Sequence, residues 1–370
     1  MSPAKSSLAA DLADFRFDGD AGGVNASIVV APPSVSDVAR VIEVAASHGA
    51  SIVPFGSGST LAPSTADIAL STHRLAGIID YQPDDLTVVV GAGTRLIDLE
   101  AELAERWHTA VLPESSPNRT VGGVVASGDS GYRRLKYGPT RDRVLEVTMA
   151  TGYAEVVRGG GRLVKNVTGY DIPRLMTGSL GSLGIIASVC LKLWPAPSHR
   201  VTVGVEDPSS ALLSVYKPVA VLESDAGSFV YLEGDEATVS EQAATLSGTV
   251  SNGFAWPETY PTPVTVSLRV PAHLVAAGVR QVDHLDAEWF VAQHGVGVVD
   301  VGLANVDIPP LDRVRRWAES NGGSLVVMGP GLSSFGRWGA PPSSLPIQRR
   351  MKNLFDPSGV CHPGVLPGGL

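Results

Sequence analysis

Closely spaced glycines in three segments are the residues of this chain best suited to bind an anion. The segments are Gly56-Ser57-Gly58, Gly91-Ala92-Gly93 and Thr120-Val121-Gly122-Gly123. Because glycine has no side chain, neighbouring backbone N–H groups can converge on one phosphate group. A single Gly-x-Gly is more often a simple turn than a cofactor site. The order of the segments therefore carries more weight than any one of them.

Two common nucleotide fingerprints fit these segments poorly. The Rossmann pattern Gly-x-Gly-x-x-Gly would place its third glycine at Leu61 or at Leu96. A Gly-Lys-Ser/Thr triplet does not occur in the sequence, which argues against an ATP or GTP site. A helix, a strand and a glycine loop are followed by the Thr-Val-Gly-Gly loop and by a Gly-x-x-Gly-Ile-Ile strand. This order indicates two small α/β lobes with a long ligand between them.

The elements that position these loops follow from hydrophobic periodicity. A helix capped by Ser34 or Ser36 is predicted to end at Gly49. Its apolar residues fall on one face: Val38, Val41, Ile42 and Ala45. A second helix is predicted at 96–107, and short strands at 50–53, 68–72 and 86–90.

Composition excludes several classes of function. The formal net charge of −9 makes nucleic acid a poor partner, since an acidic surface repels phosphate. No secretory signal is predicted in Met1–Phe15 and no membrane span in the chain, so we expect a cytoplasmic protein. The two cysteines, Cys190 and Cys361, are too few for an iron–sulfur cluster, which takes about four.

Several motifs together resemble one flavoprotein family. They are Pro32-Pro33-Ser34-x-x-Asp37-Val38, Pro54-Phe55-Gly56-Ser57-Gly58, Leu112-Pro113, Thr120-Val121-Gly122-Gly123, Tyr137-Gly138 and 178–186. Residues about 27–198 thereby resemble the PCMH-type FAD domain shared by vanillyl-alcohol oxidase, D-lactate dehydrogenase and bacterial glycolate oxidase subunits. Within this superfamily, residues 165–171 and 175–181 are most similar to the FAD-binding small subunit of glycolate oxidase. The segment 355–364 is similar to the family's closing segment, which folds back onto the FAD domain.

This resemblance implies an α+β protein with four parts. An N-terminal extension at 1–26 precedes a two-lobed PCMH-type FAD-binding domain at 27–198, with lobes at about 27–73 and 74–198. A smaller α+β cap or substrate domain follows at 199–345. A C-terminal segment at 346–370 packs on the FAD domain.

The resemblance also implies where FAD binds. Backbone amides at 54–60 would hold the pyrophosphate, while the backbone at 120–128 and 184–186 would line the adenine and isoalloxazine rings. The residues expected to bind FAD are Pro54, Phe55, Gly56, Ser57, Gly58, Ser59, Thr60, Pro113, Thr120, Val121, Gly122, Gly123, Ala126, Ser127, Gly181, Gly184, Ile185 and Ile186.

Two departures from the family pattern bear on how FAD is held. Some relatives attach FAD through a histidine in or near the pyrophosphate loop, but this loop has no histidine and the next one after it is His73, so we expect non-covalent FAD. Many relatives have an arginine before the first glycine, where this chain has Pro54-Phe55. Phosphate charge would then be balanced by backbone amides, or by second-lobe cations: Arg133, Arg134 or Lys136.

Candidates for catalysis are fewer. Oxidation of a 2-hydroxy acid requires a cation for the carboxylate and a base for the hydroxyl proton. Lys165, Tyr170 and Asp171 form a polar cluster that either orients flavin or substrate, or is a buried ion pair with a tyrosine hydroxyl fixing the loop. Relatives hold a divalent metal in the cap, where this chain has His273, His284 and His294. These histidines lack metal-ligand spacing, and the valines after His294 favour a plain strand, so no metal is predicted.

Three functions follow from the resemblance and the short cap. The first is the FAD-binding subunit of a glycolate oxidase complex, with a larger FAD-binding subunit, an iron–sulfur subunit and peripheral membrane association through these partners. The second is a stand-alone FAD-dependent oxidase or dehydrogenase of another hydroxy acid, alcohol or sugar lactone. The third is a non-catalytic FAD-binding scaffold.

Overall fold

The computed structural model describes residues 3–59, 64–114, 118–162, 169–305, 307–328 and 335–370. Within these ranges the α-helices are α1 (Pro3–Asp11), α2 (Val35–His48), α3 (Leu96–Ala104), α4 (Val121–Ser127), α5 (Arg134–Tyr137), α6 (Ile172–Met176), α7 (Pro208–Ser214), α8 (Glu236–Thr245), α9 (Val275–Val282), α10 (Ile308–Ser320) and α11 (Leu345–Phe355).

The strands of the same ranges form sheets in both halves of the sequence. They are β1 (Val24–Val30), β2 (Ile52–Phe55), β3 (Ser64–Ser71), β4 (Ile78–Gln82), β5 (Thr87–Gly91), β6 (His108–Thr109), β7 (Val144–Thr151), β8 (Val156–Gly160), β9 (Gly184–Lys192), β10 (Trp194–Pro195), β11 (His199–Val205), β12 (Ala220–Ser224), β13 (Gly227–Gly234), β14 (Val250–Asn252), β15 (Val264–Arg269), β16 (Ala287–Gln293), β17 (Val298–Leu303) and β18 (Ser324–Met328).

The chain divides into two compact units. The first, called unit 1, comprises Met1–Gly131, Pro139–Pro195 and Pro341–Leu370, and unit 2 comprises Tyr132–Gly138 and Ala196–Ala340. The assignment of Tyr132–Gly138 to unit 2 differs from the expected domain bounds, which placed these residues in the FAD domain. The reason is local packing, because Leu135 packs against the apolar core of Val201, Val230 and other residues of unit 2.

Unit 1 begins with a parallel three-stranded sheet in the order β1-β3-β2, against which α2 packs. The Ser34 hydroxyl caps α2 by accepting a hydrogen bond from the Asp37 amide (3.1 Å), and Gly49 ends the helix at φ +60°. The predicted helix and its buried face are thus confirmed. Strand β2 begins two residues later than expected, because the Ala50 amide donates to Ala45 O (2.8 Å) and completes the helix end.

A five-stranded antiparallel sheet in the order β4-β5-β9-β7-β8 forms the second part of unit 1. Helices α3 and α4 cover one face of it through Leu99, Leu103 and Val124, all buried. Helix α3 stops at Ala104 and not at the expected residue 107, since Trp107 has φ +57°, outside the helical region.

Unit 2 contains an eight-stranded sheet in the order β14-β11-β13-β12-β16-β17-β15-β18, with antiparallel pairing throughout. Its apolar cores join strand residues such as Val266 and Val301 to helix residues such as Leu311. Helices and sheets therefore mix in both units, which confirms the expected α+β class. None of the helices in the described ranges has the length and apolar character required to cross a bilayer.

Candidate flavin site

A cavity that is open to solvent on one side lies in unit 1. Its wall consists of three backbone segments, at 54–59, 119–127 and 180–186, with two further residues. The lining residues are Pro54, Phe55, Gly56, Ser57, Gly58, Ser59, Thr72, Ala92, Arg119, Thr120, Gly122, Gly123, Ala126, Ser127, Leu180, Gly181, Ile185 and Ile186.

The first segment is the turn at the end of β2. Gly58 has φ +74°, and a Cβ atom there would lie 2.4 Å from Gly22 O. At Gly56 a Cβ atom would lie 2.0 Å from the Thr120 hydroxyl oxygen. A side chain at either position would force its neighbour to move, so glycine allows the turn to pack closely against Gly22 and Thr120 while it lines the cavity.

The second segment was expected to be a loop, but it is the start of α4. Thr120 caps this helix, because its hydroxyl accepts a hydrogen bond from the Gly123 amide (3.3 Å). Gly122 lies against Ala92, the residue that follows β5, since a Cβ atom at Gly122 would meet the Ala92 Cβ at 2.6 Å. The two glycines therefore serve close packing inside a short helix, which a pattern of paired glycines does not suggest.

The third segment, 180–186, includes the residues before β9 and the first three residues of that strand. Leu180 has φ +52° and Gly181 has φ +77°, so both are left-handed. A Cβ atom at Gly181 would lie 2.4 Å from Pro54 Cγ of the first segment. Ile185 and Ile186 are buried and add an apolar surface suited to an aromatic ring.

Arg119 is a cavity residue that the sequence analysis missed. Its side chain is 7% exposed, forms an ion pair with Asp129 and donates to the Ser127 hydroxyl (3.3 Å). Burial alone would raise the pKa of the Asp129 carboxyl, but Arg119 and the amides of Gly131 and Ser130 outweigh burial and lower that pKa. The sequence feature that could have indicated this residue is its position directly before the Thr-Val-Gly-Gly segment.

Most residues expected to bind FAD come together in this cavity. The exceptions in the described ranges are Pro113, Val121 and Gly184, which are buried away from the cavity surface. Val121 packs in the core beneath α4, and Gly184 lies against Ala150 O. Thr60 lies outside the described residues. The cavity also includes Thr72, Ala92 and Leu180, which were not among the residues expected to bind FAD, although Ala92 lies in the Gly91-Ala92-Gly93 segment and Leu180 in the 178–186 motif.

The candidates for catalysis are placed differently from the expectation. Lys165 lies outside the described residues, so its role stays a prediction. Tyr170 is 91% exposed, and Asp171 is also exposed, where it caps α6 through the Arg174 amide (3.0 Å). The interpretation of a buried ion pair beside a tyrosine hydroxyl is wrong for these two residues, and neither lines the cavity.

The cations expected to balance phosphate charge also lie elsewhere. Arg133, Arg134 and Lys136 belong to unit 2, not to the second lobe of the FAD domain. Lys136 donates to Glu233 O (3.0 Å) and pairs with the Glu233 carboxylate (3.5 Å). His73 is hydrogen-bonded to the Ser71 hydroxyl (3.0 Å), and it does not line the cavity.

The histidines of unit 2 do not form a metal site in the described ranges, where no group of three or more His, Cys, Asp or Glu is placed to hold an ion. His294 is buried in the turn between β16 and β17, and its Nε2 lies 2.8 Å from a Glu223 carboxylate oxygen. Of the valines after it, Val298 and Val299 begin the strand β17 as expected, while Val296 lies in the turn. His273 lies in a short 3-10 helix, and His284 is exposed on a turn.

Comparisons with known proteins give a domain match and a shared fold. Residues 26–160 match the model of the FAD binding domain family. The fold is similar to that of a chitooligosaccharide oxidase (TM-score 0.70, 14% identity, 96% of this chain and 97% of that one). It is also similar to the Physcomitrella patens BBE-like 1 protein (TM-score 0.67, 17% identity, 97% and 98%). Residues 26–160 thus match an FAD-binding domain, and the two solved structures show that the chain shares their fold.

Among curated relatives, glycolate oxidase subunit GlcE of Escherichia coli is 29% identical over 308 residues, 79% of this chain and 84% of that protein. This alignment confirms the resemblance to glycolate oxidase small subunits that the motifs indicated. Subunit GlcD of Bacillus subtilis is 35% identical over 47% of this chain, and D-lactate dehydrogenase of Anaerostipes hadrus is 32% identical over 51%. These two matches span only 38% and 41% of the relatives' own lengths.

Proposed function

We propose that this chain is the FAD-binding subunit of a glycolate oxidase complex, in which glycolate is oxidised to glyoxylate and electrons pass to partner subunits. The observation that carries the proposal is the alignment with GlcE, which extends over most of both chains. An alignment of that extent includes the cap region as well as the FAD domain, whereas the matches to GlcD and D-lactate dehydrogenase cover about half of this chain.

The lining of the cavity in unit 1 supports FAD as its ligand. The amides of Gly56–Ser59 would bind the pyrophosphate, and Arg119 would balance part of its charge from the opposite segment. Ala126, Ile185 and Ile186 would pack against the rings and exclude water from them. We infer non-covalent binding, because neither His48 nor His73, the histidines on either side of the loop in sequence, lines the cavity. When bound, FAD supplies the acceptor for the hydride that leaves the hydroxyl-bearing carbon of a 2-hydroxy acid.

Electrons from the reduced flavin would leave through partner chains: a larger FAD-binding subunit and an iron–sulfur subunit. The two cysteines of this chain support that division, since both are buried and their number is half of what a cluster needs. A cluster that takes part in the reaction would therefore be held by another chain.

A stand-alone dehydrogenase is the second candidate. It is favoured by the relatives named D-lactate dehydrogenase, whose matches cover about half of this chain. Turnover of a hydroxy acid by the purified single chain would support this candidate over the complex. A scaffold that binds FAD without catalysis is the third, and it would stay oxidised with every substrate even when its partners are present.

The visible spectrum of the purified chain, before and after acid precipitation, tests the proposal first. Yellow protein that releases FAD into the supernatant is the expected result. Glycolate and D-lactate are then added without oxygen, with and without the larger and iron–sulfur subunits. Bleaching by glycolate only with the partners supports the complex. A folded but colourless chain that takes up no added FAD would contradict the proposal.

A further inference from the structure

The two carbonyl groups on either side of Gly181 are both bound by side chains from the C-terminal segment. Lys352 Nζ donates to Ser182 O at 2.7 Å. His362 Nδ1 lies 2.6 Å from Leu180 O, and since a carbonyl oxygen only accepts, Nδ1 carries the proton. Leu180 and Gly181 line the cavity, so the contacts join the chain's last residues to the cavity wall.

Lys352 is buried and makes three hydrogen bonds in all, which is the full capacity of an ammonium group. Besides Ser182 O, it donates to an Asp356 carboxylate oxygen (2.5 Å) and to Cys361 O (2.6 Å). The Asp356 carboxylate, fully buried, accepts further hydrogen bonds from the amides of Val360 (3.1 Å) and Cys361 (2.9 Å). The ion pair thus fixes the course of 356–361 and places His362 opposite Leu180.

The same segment also holds the strand that leads into the first cavity wall. The Ile52 amide donates to Val360 O, and the His362 amide donates to Ile52 O, both at 2.8 Å. Two residues further along β2, Pro54 lies against Gly181, where a Cβ atom would be 2.4 Å from Pro54 Cγ. One C-terminal segment therefore fixes two cavity walls that touch each other.

The conformation of Leu180 requires such support. A leucine at φ +52° is strained, and strained residues persist only where surrounding contacts hold them. One contact is the hydrogen bond from the Leu180 amide to Ala126 O (2.8 Å), and the bond from His362 to its carbonyl is the other. Without the bond from His362, the Leu180 carbonyl loses this partner. The Ser182 amide still closes the turn on Ser179 O (2.9 Å), but the Leu180–Gly181 peptide is less firmly held.

We propose that His362, held in place by the Lys352–Asp356 pair, is a positioning residue that fixes the Leu180–Gly181 wall in the form that binds FAD. The proposal rests on the location of FAD in this cavity, which is part of the proposed function. It assigns to the C-terminal segment a part in cofactor binding that does not require any of its side chains to touch the cofactor.

The test uses the full chain with His362→Ala, His362→Asn and His362→Gln, and the exposed His284→Ala as a matched control. FAD affinity is measured by titrating the apoprotein and following flavin fluorescence. Hydrogen exchange of the amides at 179–183 is measured without FAD. Because the Asn amide nitrogen falls near the place of His Nδ1 and that of Gln does not, Asn should restore binding and Gln should not.

We expect His362→Ala and His362→Gln to raise the Kd for FAD about tenfold, the effect of one hydrogen bond, and to speed exchange at 179–183. His362→Asn and His284→Ala should stay near the wild type in both measurements. If His362→Ala does not fold, the comparison of His362→Asn with His362→Gln tests the proposal. Equal affinity in Asn and Gln variants, or unchanged exchange in Gln, would overturn the proposal. Failure of the wild type to bind FAD would contradict the proposed function instead. The exchange rates at 179–183 would still show whether His362 holds the Leu180–Gly181 segment in place.

Discussion

The Thr120 hydroxyl oxygen lies 2.0 Å from the position that a Cβ atom would take at Gly56. The backbone of the turn after β2 therefore packs directly against the Thr120 side chain at the start of α4. No space remains between them for a methyl group on Gly56. This contact brings the first and second glycine segments, more than 60 residues apart in sequence, to a single cavity wall.

Gly56→Ala should weaken FAD binding, because the added methyl group must push the turn away from Thr120 and move the amides that face the ligand. We expect the Kd for FAD to rise at least about tenfold, equal to roughly 1.4 kcal/mol of binding free energy. Gly234→Ala is the control, since its Cβ would make an ordinary contact with Val239 at 3.7 Å. Flavin fluorescence titration measures both. A Gly56→Ala protein that binds FAD as the wild type does would mean that this turn does not contact the cofactor.

Arg119→Met should reduce FAD affinity about tenfold or more, because a buried guanidinium beside a diphosphate forms charge-assisted hydrogen bonds. The variant should also be less stable as apoprotein, since Asp129 loses its partner. Arg119→Met combined with Asp129→Asn separates the two effects: stability should recover while FAD affinity stays low. Arg95→Met, which removes an exposed arginine paired with Asp98, is the matched control. Recovery of affinity in the double variant would show that Arg119 acts only through the fold.

Asp129 should make the apoprotein sensitive to acid. Its pKa is below the ordinary 3.8 in the folded state, so its contribution to stability is fully present above about pH 4. That contribution is lost as the pH falls through the folded pKa, where the carboxylate takes up a proton and its pair with Arg119 ends. Denaturant unfolding from pH 6 to pH 3 should show a steeper loss for the wild type than for Asp129→Asn. Parallel curves would assign the acid sensitivity to other carboxyl groups.

The parts of the site that could be read from sequence are those set by local chemistry. Helix α2 follows from its apolar face, the Ser34 cap and the stop at Gly49, all within one stretch of chain. The turn at Gly56–Gly58 likewise follows from glycines that directly succeed a short apolar strand. Such features depend on neighbours in sequence, so periodicity and turn chemistry suffice to find them.

The parts that were missed depend on contacts between distant residues. Arg119 enters the cavity because Asp129 and Ser127 hold its side chain, which no spacing rule encodes. The segment at Thr120 looks like a loop because two glycines weaken its helix propensity, yet packing of Gly122 on Ala92 makes it a helix. Tyr170 looked like part of a buried cluster because its neighbours are polar, and only the fold reveals that it faces solvent.

Tyr170→Phe should leave FAD affinity unchanged, because a side chain that is 91% exposed and away from the cavity has no contact to lose. The variant should match the wild type within about twofold in Kd, which is below 0.5 kcal/mol. In the reconstituted complex the same variant also tests the earlier hypothesis that Tyr170 orients the substrate. A lower rate of flavin bleaching by glycolate, with unchanged FAD affinity, would support the hypothesis that Tyr170 orients the substrate.

The two cysteines should be unreactive in the native protein. Burial, with Glu146 near one thiol and Asp356 near the other, raises the pKa of Cys190 and of Cys361 to about 12. At pH 8 only about one thiol in ten thousand is then ionised, and the thiolate is the reactive form. A disulfide reagent such as DTNB should therefore label neither residue until denaturant is added, after which two thiols per chain should react. Fast labelling of one thiol in the native protein would show that its segment opens, and for Cys361 that would count against a firmly held C-terminal segment.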